Sequence, residues 1–266
     1  MLAVVEVRGR YLPAMLRRTI GPFGVKDLFT MVNLLSGVVA LRYALAGEVR
    51  EAGYAVIVGF LLGDIVDGIV ARRTGTANAF GAEFDAITDH FVHVFVPAVV
   101  IYQVYAEGGH RDLGLAAVAV LVAGATIRHA RLAAARFDFP LCWCGLPRTI
   151  SGFAALSFPL STLFARTELG YLIGFAVVAV LSALNLAPIP YLTHRGKRSM
   201  QLYVKLPVIA FLLSTPVLFL VARRFTFDVF FLGLLTFAVA GWLPVHPDER
   251  RQFYAEYRRW AAELGR

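Results

Sequence analysis

Four aspartates, Asp64, Asp67, Asp85 and Asp89, fall within a single stretch of 26 residues whose other members are largely apolar, such as Ile65, Val66, Ile69, Val70, Phe84 and Ile87. A carboxylate near hydrocarbon is costly, so an acidic cluster in an apolar chain marks a functional site by default. Four carboxylates sharing one site cannot all stay ionised without cations among them, and divalent metal is the simplest counter-charge. The chemistry open to such a set is metal-assisted work on phosphate, or proton transfer to a carboxylate.

Helical spacing sorts the four into two groups. Asp64 and Asp67 are i, i+3, and with Gly68 and Ala71 they occupy one helix face. Gly81, Asp85 and Asp89 follow one another at steps of four and form a second stripe. The turn between them, Arg73 to Asn78, is short, so the two helices return antiparallel and turn both stripes to one cavity at a common depth. Gly68, Ala71 and Gly81 are small enough for a backbone or a flat ligand to come close. Arg72 supplies a fixed cation of the kind a phosphate contact needs. Two other readings exist: acids that pair with arginines to stabilise a helix hairpin, and a proton or cation pathway. The pathway fits poorly, because the acids gather at one end of their helices.

The elements that must position these residues are membrane helices. The chain has 266 residues, 58% of them hydrophobic and 17% charged, with mean hydropathy +0.67. A soluble domain is nearer 45–50% apolar and about 25% charged. Apolar runs at 27–48, 52–73, 81–106, 113–135, 149–166, 170–187, 204–222 and 225–244 predict an all-α, polytopic bundle of about eight transmembrane helices. Residues 1–26 lack the apolar centre of a secretion signal and read as an interfacial amphipathic helix, with Arg8, Arg10, Arg17, Arg18 and Lys26 among apolar residues. Residues 246–266 read as a second one, carrying Phe253, Tyr257, Trp260 and Leu264. The chain thus divides into a segment 1–26, a membrane domain 27–245 and a tail 246–266.

With a cytoplasmic N-terminus, all of the 26 basic residues except Arg42, Arg50, Arg111, Arg166, Arg223 and Arg224 fall on the cytoplasmic side. The positive-inside rule then puts both termini and the acidic site at the cytoplasmic face of the cell membrane. The net charge of +8 belongs to those loops and to anionic lipid, not to nucleic acid. Cys142 and Cys144 are too closely spaced for the usual zinc pattern and read as structural thiols.

The pattern Asp64-x2-Asp67-Gly68-x2-Ala71-Arg72-x8-Gly81-x3-Asp85-x3-Asp89 resembles, position for position, the signature of the CDP-alcohol phosphatidyltransferase family. The resemblance implies an integral membrane enzyme, usually a homodimer, that moves a phosphatidyl or archaeal diether group from a CDP-linked lipid to an alcohol and releases CMP. It implies that Asp64, Asp67 and Asp85 are ligands of two Mg2+ or Mn2+ ions, and that Asp89 is a shared ligand and the general base. Gly68, Ala71, Arg72 and Gly81 would receive the cytidine and its diphosphate.

Outside the signature the chain resembles the phosphatidylserine synthase branch, including its archaetidylserine counterpart. The segments that carry this are Thr30 to Gly37, with Thr30 and Asn33 as further donor-binding candidates, Arg128-His129-Ala130-Arg131, and Gly145-Leu146-Pro147. L-serine is the acceptor this implies. His93, Arg128, Arg131 and Arg148 are candidates for the acceptor pocket. Two departures stand against serine: the run His90 to Pro97 lacks the branch's Phe-Gly step, and Arg148-Thr149 follows Gly-Leu-Pro in place of small apolar residues. A phosphatidylcholine synthase is the alternative suggested by the two late spans and the loop His194 to Arg198. Phosphatidylglycerophosphate or inositol-phosphate synthesis stays open through the arginines. The rival outside the family is a non-catalytic membrane scaffold or ion pathway.

Overall fold

Val25–Leu45 forms helix α1 of the computed structural model, which describes residues 4–7, 10–13, 23–74, 78–134, 137, 139–193, 195–196 and 198–264. Val49–Gly59, a π-helical turn Phe60–Asp64 and Ile65–Thr74 run on without a break as α2. Ala79–Glu107 is α3 and contains a second π turn, Phe91–Phe95. Then come α4, Arg111–Ala134, α5, Arg148–Leu160, α6, Glu168–Leu186, α7, Leu202–Val221, α8, Thr226–Ala240, and the charged α9, Pro247–Leu264.

Every apolar run of the sequence is therefore helical, but the runs are unequal. Among the described residues five helices are long and apolar enough to cross a membrane: α1, α3, α4, α6 and α7, the last over Val204–Val221. The length of α2 suffices, yet it carries Arg50, Glu51, Asp64 and Asp67. At ~1.5 Å per residue, α5 and α8 reach only about 20–23 Å, short of a ~30 Å hydrocarbon core. The outer surface is apolar: Leu220 and Val221 of α7 are 80% and 82% exposed. Exposed apolar surface on that scale is stable in lipid and not in water.

Among the described residues two departures from an all-helical chain occur. Val4–Val7 (β1) and Arg10–Pro13 (β2) pair antiparallel, where an amphipathic helix was expected. The β-branched Val4, Val5 and Val7 favour extended backbone over helix. The remainder of 1–22 lies outside the described residues. Cys142–Cys144 (β3) pairs antiparallel with Pro190–Leu192 (β4). The tail is helical as expected, but its apolar face meets the chain itself. Phe253 and Trp260 are buried and surround Phe137 at ring separations of 5.9 and 5.1 Å.

Packing runs from α1 onto α2 and α3, from α3 onto α4 and α5, from α4 onto α6, and from α5 onto α6 and α8, while α7 touches mainly α8. At the end away from the acids, Arg50 donates to the Leu160 carbonyl at 2.7 Å and the Tyr54 hydroxyl to the Arg223 carbonyl at 2.8 Å. Asp228 there accepts from the Thr162 backbone at 3.1 Å. These bonds join the far ends of α2, α5 and α8. At the near end Gly145 has φ +68°, and a side chain there would also strike the Asn185 carbonyl. That turn aims α5 back into the bundle from Pro147, its N-cap.

Gly152 of α5 lies against the backbone of α3 at the second π turn. A Cβ on it would sit 1.7 Å from the His93 carbonyl oxygen, which belongs to rigid main chain. Gly152→Ala should lower stability by roughly 1–3 kcal/mol through overpacking, read as a drop in the detergent-solubilised unfolding midpoint. An unchanged midpoint would mean that α5 does not press on α3 there.

Candidate active site

The two acid-bearing helices are held by α1, which packs against both. Thr30 of α1 donates its hydroxyl to Asp67 Oδ2 at 2.7 Å. Gly63 of α2 meets Asn33 of α1 so closely that a Cβ would lie 2.7 Å from the Asn33 backbone nitrogen. Asp27 pairs with Lys26 at 2.7 Å, and both press on Gly81 of α3. Asn78 caps α3 by accepting from the Gly81 N–H at 2.7 Å.

Both helices carry a π turn at the acids. In α2 it spans Phe60–Asp64, closed by the Ile65 N–H on the Phe60 carbonyl. In α3 it spans Phe91–Phe95, closed by the Val96 N–H on the Phe91 carbonyl, and includes His93. Such turns insert one residue into a helix and often mark functional sites. Here they lie next to Asp64 and Asp89 and shift the phase of the apolar face relative to the acidic one.

The result is two overlapping donor sets. Asp64, Asp67 and Asp85 offer ligand atoms all within 4.8 Å of one another, and so do Asp64, Asp89 and His93. Asp64 belongs to both. Asp85 Oδ1 and Asp89 Oδ1 are buried without a hydrogen-bond partner. Oxygen-rich sets with unsatisfied lone pairs at this spacing fit divalent cations. Asp89 sits between His93 Nδ1, 3.3 Å from its Oδ1, and Arg148 Nη2, 3.7 Å from its Oδ2. Arg148 Nη1 also lies 2.9 Å from His129 Nδ1.

A cavity of about 710 Å³ opens over the acids. Asp64, Asp67, Gly68, Asp85 and Asp89 line it together with Arg128, His129, Arg148, Thr149, Thr193 and Arg195, and with Phe137, Phe139 and Trp143. Arg128 is fixed by donating to the Cys144 carbonyl at 3.0 Å.

Of the residues singled out from sequence, the structure gathers the four aspartates, Gly68, Arg128 and Arg148 around this cavity. Thr30 stands behind Asp67. Asn33 is buried at the α1–α2 contact and Gly81 faces Lys26 and Asp27; neither is on the cavity lining. The side chains of Ala71 and Arg72 lie outside those described. His93 is fully buried beside Asp89. Arg131 is turned away: it donates to the Leu186 carbonyl at 3.0 Å and stacks its guanidinium over Trp260 at 5.8 Å. His129, Thr149, Thr193, Arg195 and Trp143 were missed as cavity residues. His129 belongs to the Arg128–Arg131 segment and Arg195 to a basic loop on the cytoplasmic side; nothing in their spacing points to the cavity.

The model of the CDP-alcohol phosphatidyltransferase family matches residues 24–181, which hold both acid-bearing helices and most of the cavity. The chain belongs to that family. As a member it is an enzyme of phosphatidyl transfer. It is 25% identical over 184 residues to a CDP-diacylglycerol–serine O-phosphatidyltransferase of Methanocaldococcus jannaschii, 65% of this chain and 76% of that one. It is 30% identical over 122 residues to proteins of the same name from two strains of Helicobacter pylori, 46% of this chain. The matched part is only 51% of the Helicobacter proteins' length. Thr193 and Arg195 lie beyond the segment the family model covers.

Cys142 and Cys144 are both free and buried, alternating on β3 with the exposed Trp143. Burial, reinforced by the Glu249 carboxylate, pushes the Cys142 thiol up to about 12, and burial raises Cys144 as well. An unfolded chain releases these protons near pH ~8.5. Between that point and 12 the unfolded form ionises while the folded one does not, so stability is intact below about pH 8.5 and falls as pH rises above it. At pH 8 the folded Cys142 thiolate fraction is on the order of 10⁻⁴, which predicts negligible iodoacetamide labelling until denaturant is added. Rapid labelling of the folded protein at pH 8, followed by mass spectrometry, would contradict this burial.

Proposed function

We propose that this chain transfers a phosphatidyl or archaetidyl group from a CDP-linked lipid, such as CDP-diacylglycerol, to the hydroxyl of L-serine, releasing CMP in phospholipid synthesis. The observation that carries this reading is the pair of donor sets sharing Asp64 in a cavity that Arg128, Arg148 and Arg195 also line. Acids and arginines lining one cavity suit a metal-bound diphosphate and an acceptor with its own negative charge. Serine is preferred because its carboxylate matches those arginines and because the relatives found carry serine in their names.

Two Mg2+ or Mn2+ ions, held by Asp64, Asp67, Asp85 and Asp89, would neutralise the donor diphosphate and stabilise CMP as it leaves. Asp89 takes the proton of the serine hydroxyl. The hydroxyl oxygen forms a bond to the lipid-side phosphorus while the bond from that phosphorus to the CMP oxygen breaks. Arg148, beside Asp89, holds the acceptor, and Arg128 and Arg195 complete its pocket. Gly68, with Ala71 and Arg72 after it, receives the nucleotide; Thr30 acts by orienting Asp67, with Asn33 and Gly81 supporting α1 against the acid-bearing helices.

The same reading places eight membrane crossings between an N-terminal segment 1–26 and a tail 246–266, with the membrane domain at 27–245. Both termini and the cavity face the cytoplasm, which the arginines around the cavity support. The lipid chains of the donor stay in the leaflet while its diphosphate reaches the acids, and the protein acts as a homodimer.

Asp89→Asn should lower CMP release by at least about a thousandfold while CDP-lipid binding, followed by isothermal titration in detergent, changes little. Retained turnover would remove Asp89 as base. CMP release should need Mg2+ or Mn2+ and, among serine, choline, glycerol 3-phosphate and inositol phosphate, should rise most with serine. A larger rise with choline or a phosphorylated acceptor, confirmed by the lipid product, would reassign the substrate.

A further inference from the structure

Among the described residues His93 has one polar contact, to Asp89, and no other. It is fully buried. Its ring lies between Phe153, at 5.0 Å, and the edge of Phe60, at 6.0 Å. Neither Nδ1 nor Nε2 has a hydrogen-bond partner. Nδ1 comes within 3.3 Å of Asp89 Oδ1 but lacks the alignment of a hydrogen bond. A buried imidazole whose Nε2 has no partner and whose Nδ1 has only a long contact to one carboxylate is costly, and such a group calls for an explanation, of which a bound ion is one.

The backbone fixes it in place. His93 lies inside the π turn Phe91–Phe95, and its carbonyl is pressed by Gly152 of α5. A nitrogen of its ring belongs with Asp64 and Asp89 in a set of ligand atoms all within 4.8 Å of one another. Ligands about 2.0–2.2 Å from a shared ion lie roughly 3–4 Å apart, which is the separation seen between Nδ1 and Asp89.

We infer that His93 is a direct nitrogen ligand of the metal position built on Asp64 and Asp89, so that this position is mixed nitrogen–oxygen while the Asp64–Asp67–Asp85 position is all oxygen. Imidazole suits Zn2+ and the later first-row ions better than Mg2+, whereas carboxylates alone suit Mg2+ and Mn2+, and affinity for a nitrogen–oxygen site rises from Mn2+ to Co2+. The two positions therefore differ in metal preference, and His93 sets the preference of the one nearer the base. This assignment rests on the metal-dependent reading above.

The test is direct observation of the nitrogen. Detergent-solubilised full-length protein is loaded with Mn2+ and CDP-diacylglycerol, Mn2+ binding is quantified, and electron spin-echo envelope modulation reads any coupled ¹⁴N. The expected result is an imidazole coupling that becomes ¹⁵N when the protein is grown on ¹⁵N-histidine. It should vanish in His93→Gln and persist in a triple variant, His90→Gln, His129→Gln and His194→Gln. His93→Asp, which returns an oxygen donor, should lower the ratio of Co2+ to Mg2+ affinity by roughly tenfold. Bound Mn2+ with no nitrogen coupling, or a coupling that survives in His93→Gln or disappears in the triple variant, overturns the inference. Should His93→Gln fail to fold, the wild type and the triple variant decide alone. Absence of Mn2+ binding altogether would instead bring down the metal-dependent reading.

Discussion

Everything in this structure depends on keeping like charges together. Two carboxylates about 4 Å apart repel by roughly 4 kcal/mol at an effective dielectric of ~20, and here four share one floor. The helices that carry them would splay unless held from behind. That task falls to α1, which contributes none of the four. Thr30 holds Asp67, Asn33 fits Gly63, and the Lys26–Asp27 pair fits Gly81. Two of these contacts, at Gly63 and Gly81, involve positions where a larger residue would push the helices apart. The small residues of the signature are thus as much about the spacing of acids as about room for a ligand.

The acids themselves were legible because helical period alone puts Asp64 with Asp67 and Asp85 with Asp89, and a short turn must fold the two stripes onto each other. The apolar runs were legible for the same reason, and each is a helix. Local pattern could not show the π turns at Phe60–Asp64 and Phe91–Phe95, because they arise from how α2 and α3 settle against α1 and α5. Nor could it tell Arg128 from Arg131. The two share a helix face in sequence, yet one borders the cavity and the other is held by Leu186 and Trp260. Trp260 lies over a hundred residues later, so no window around Arg131 contains the cause. The β1–β2 hairpin was missed because charge spacing was weighed above the β-branched run at Val4, Val5 and Val7.

The arginines around the cavity have a design of their own. Had they paired with the aspartates across it, the site would be a closed network of salt bridges with no appetite for cations or ligand. Arg128 is instead engaged by a backbone carbonyl, and Arg148 divides its guanidinium between His129 and a longer contact to Asp89. Oxygens of Asp85 and Asp89 are left without partners. Of these arginines only Arg148 reaches an acid, Asp89, and at a long 3.7 Å, so most of the opposite charges stay unpaired, which is what a site needs if cations and anions are both to enter it.

This separation has a cost in rigidity that later parts of the chain meet. Arg128 can stay on its side only if Cys144 stays where it is, and Cys144 is held by pairing of β3 with β4. The segment leading into β3 is in turn backed by α9, where Phe253 and Trp260 close on Phe137 and Phe139. On the proposed reaction, the donor half is built by one hairpin and the helix behind it. The acceptor half is assembled from pieces far apart in sequence, and Thr193 and Arg195 lie outside the part shared across the family. A short motif can therefore specify the donor half. The acceptor half depends on several distant packing contacts at once, so a change of acceptor requires no change in the acids, only in the loops and in the helix that braces them.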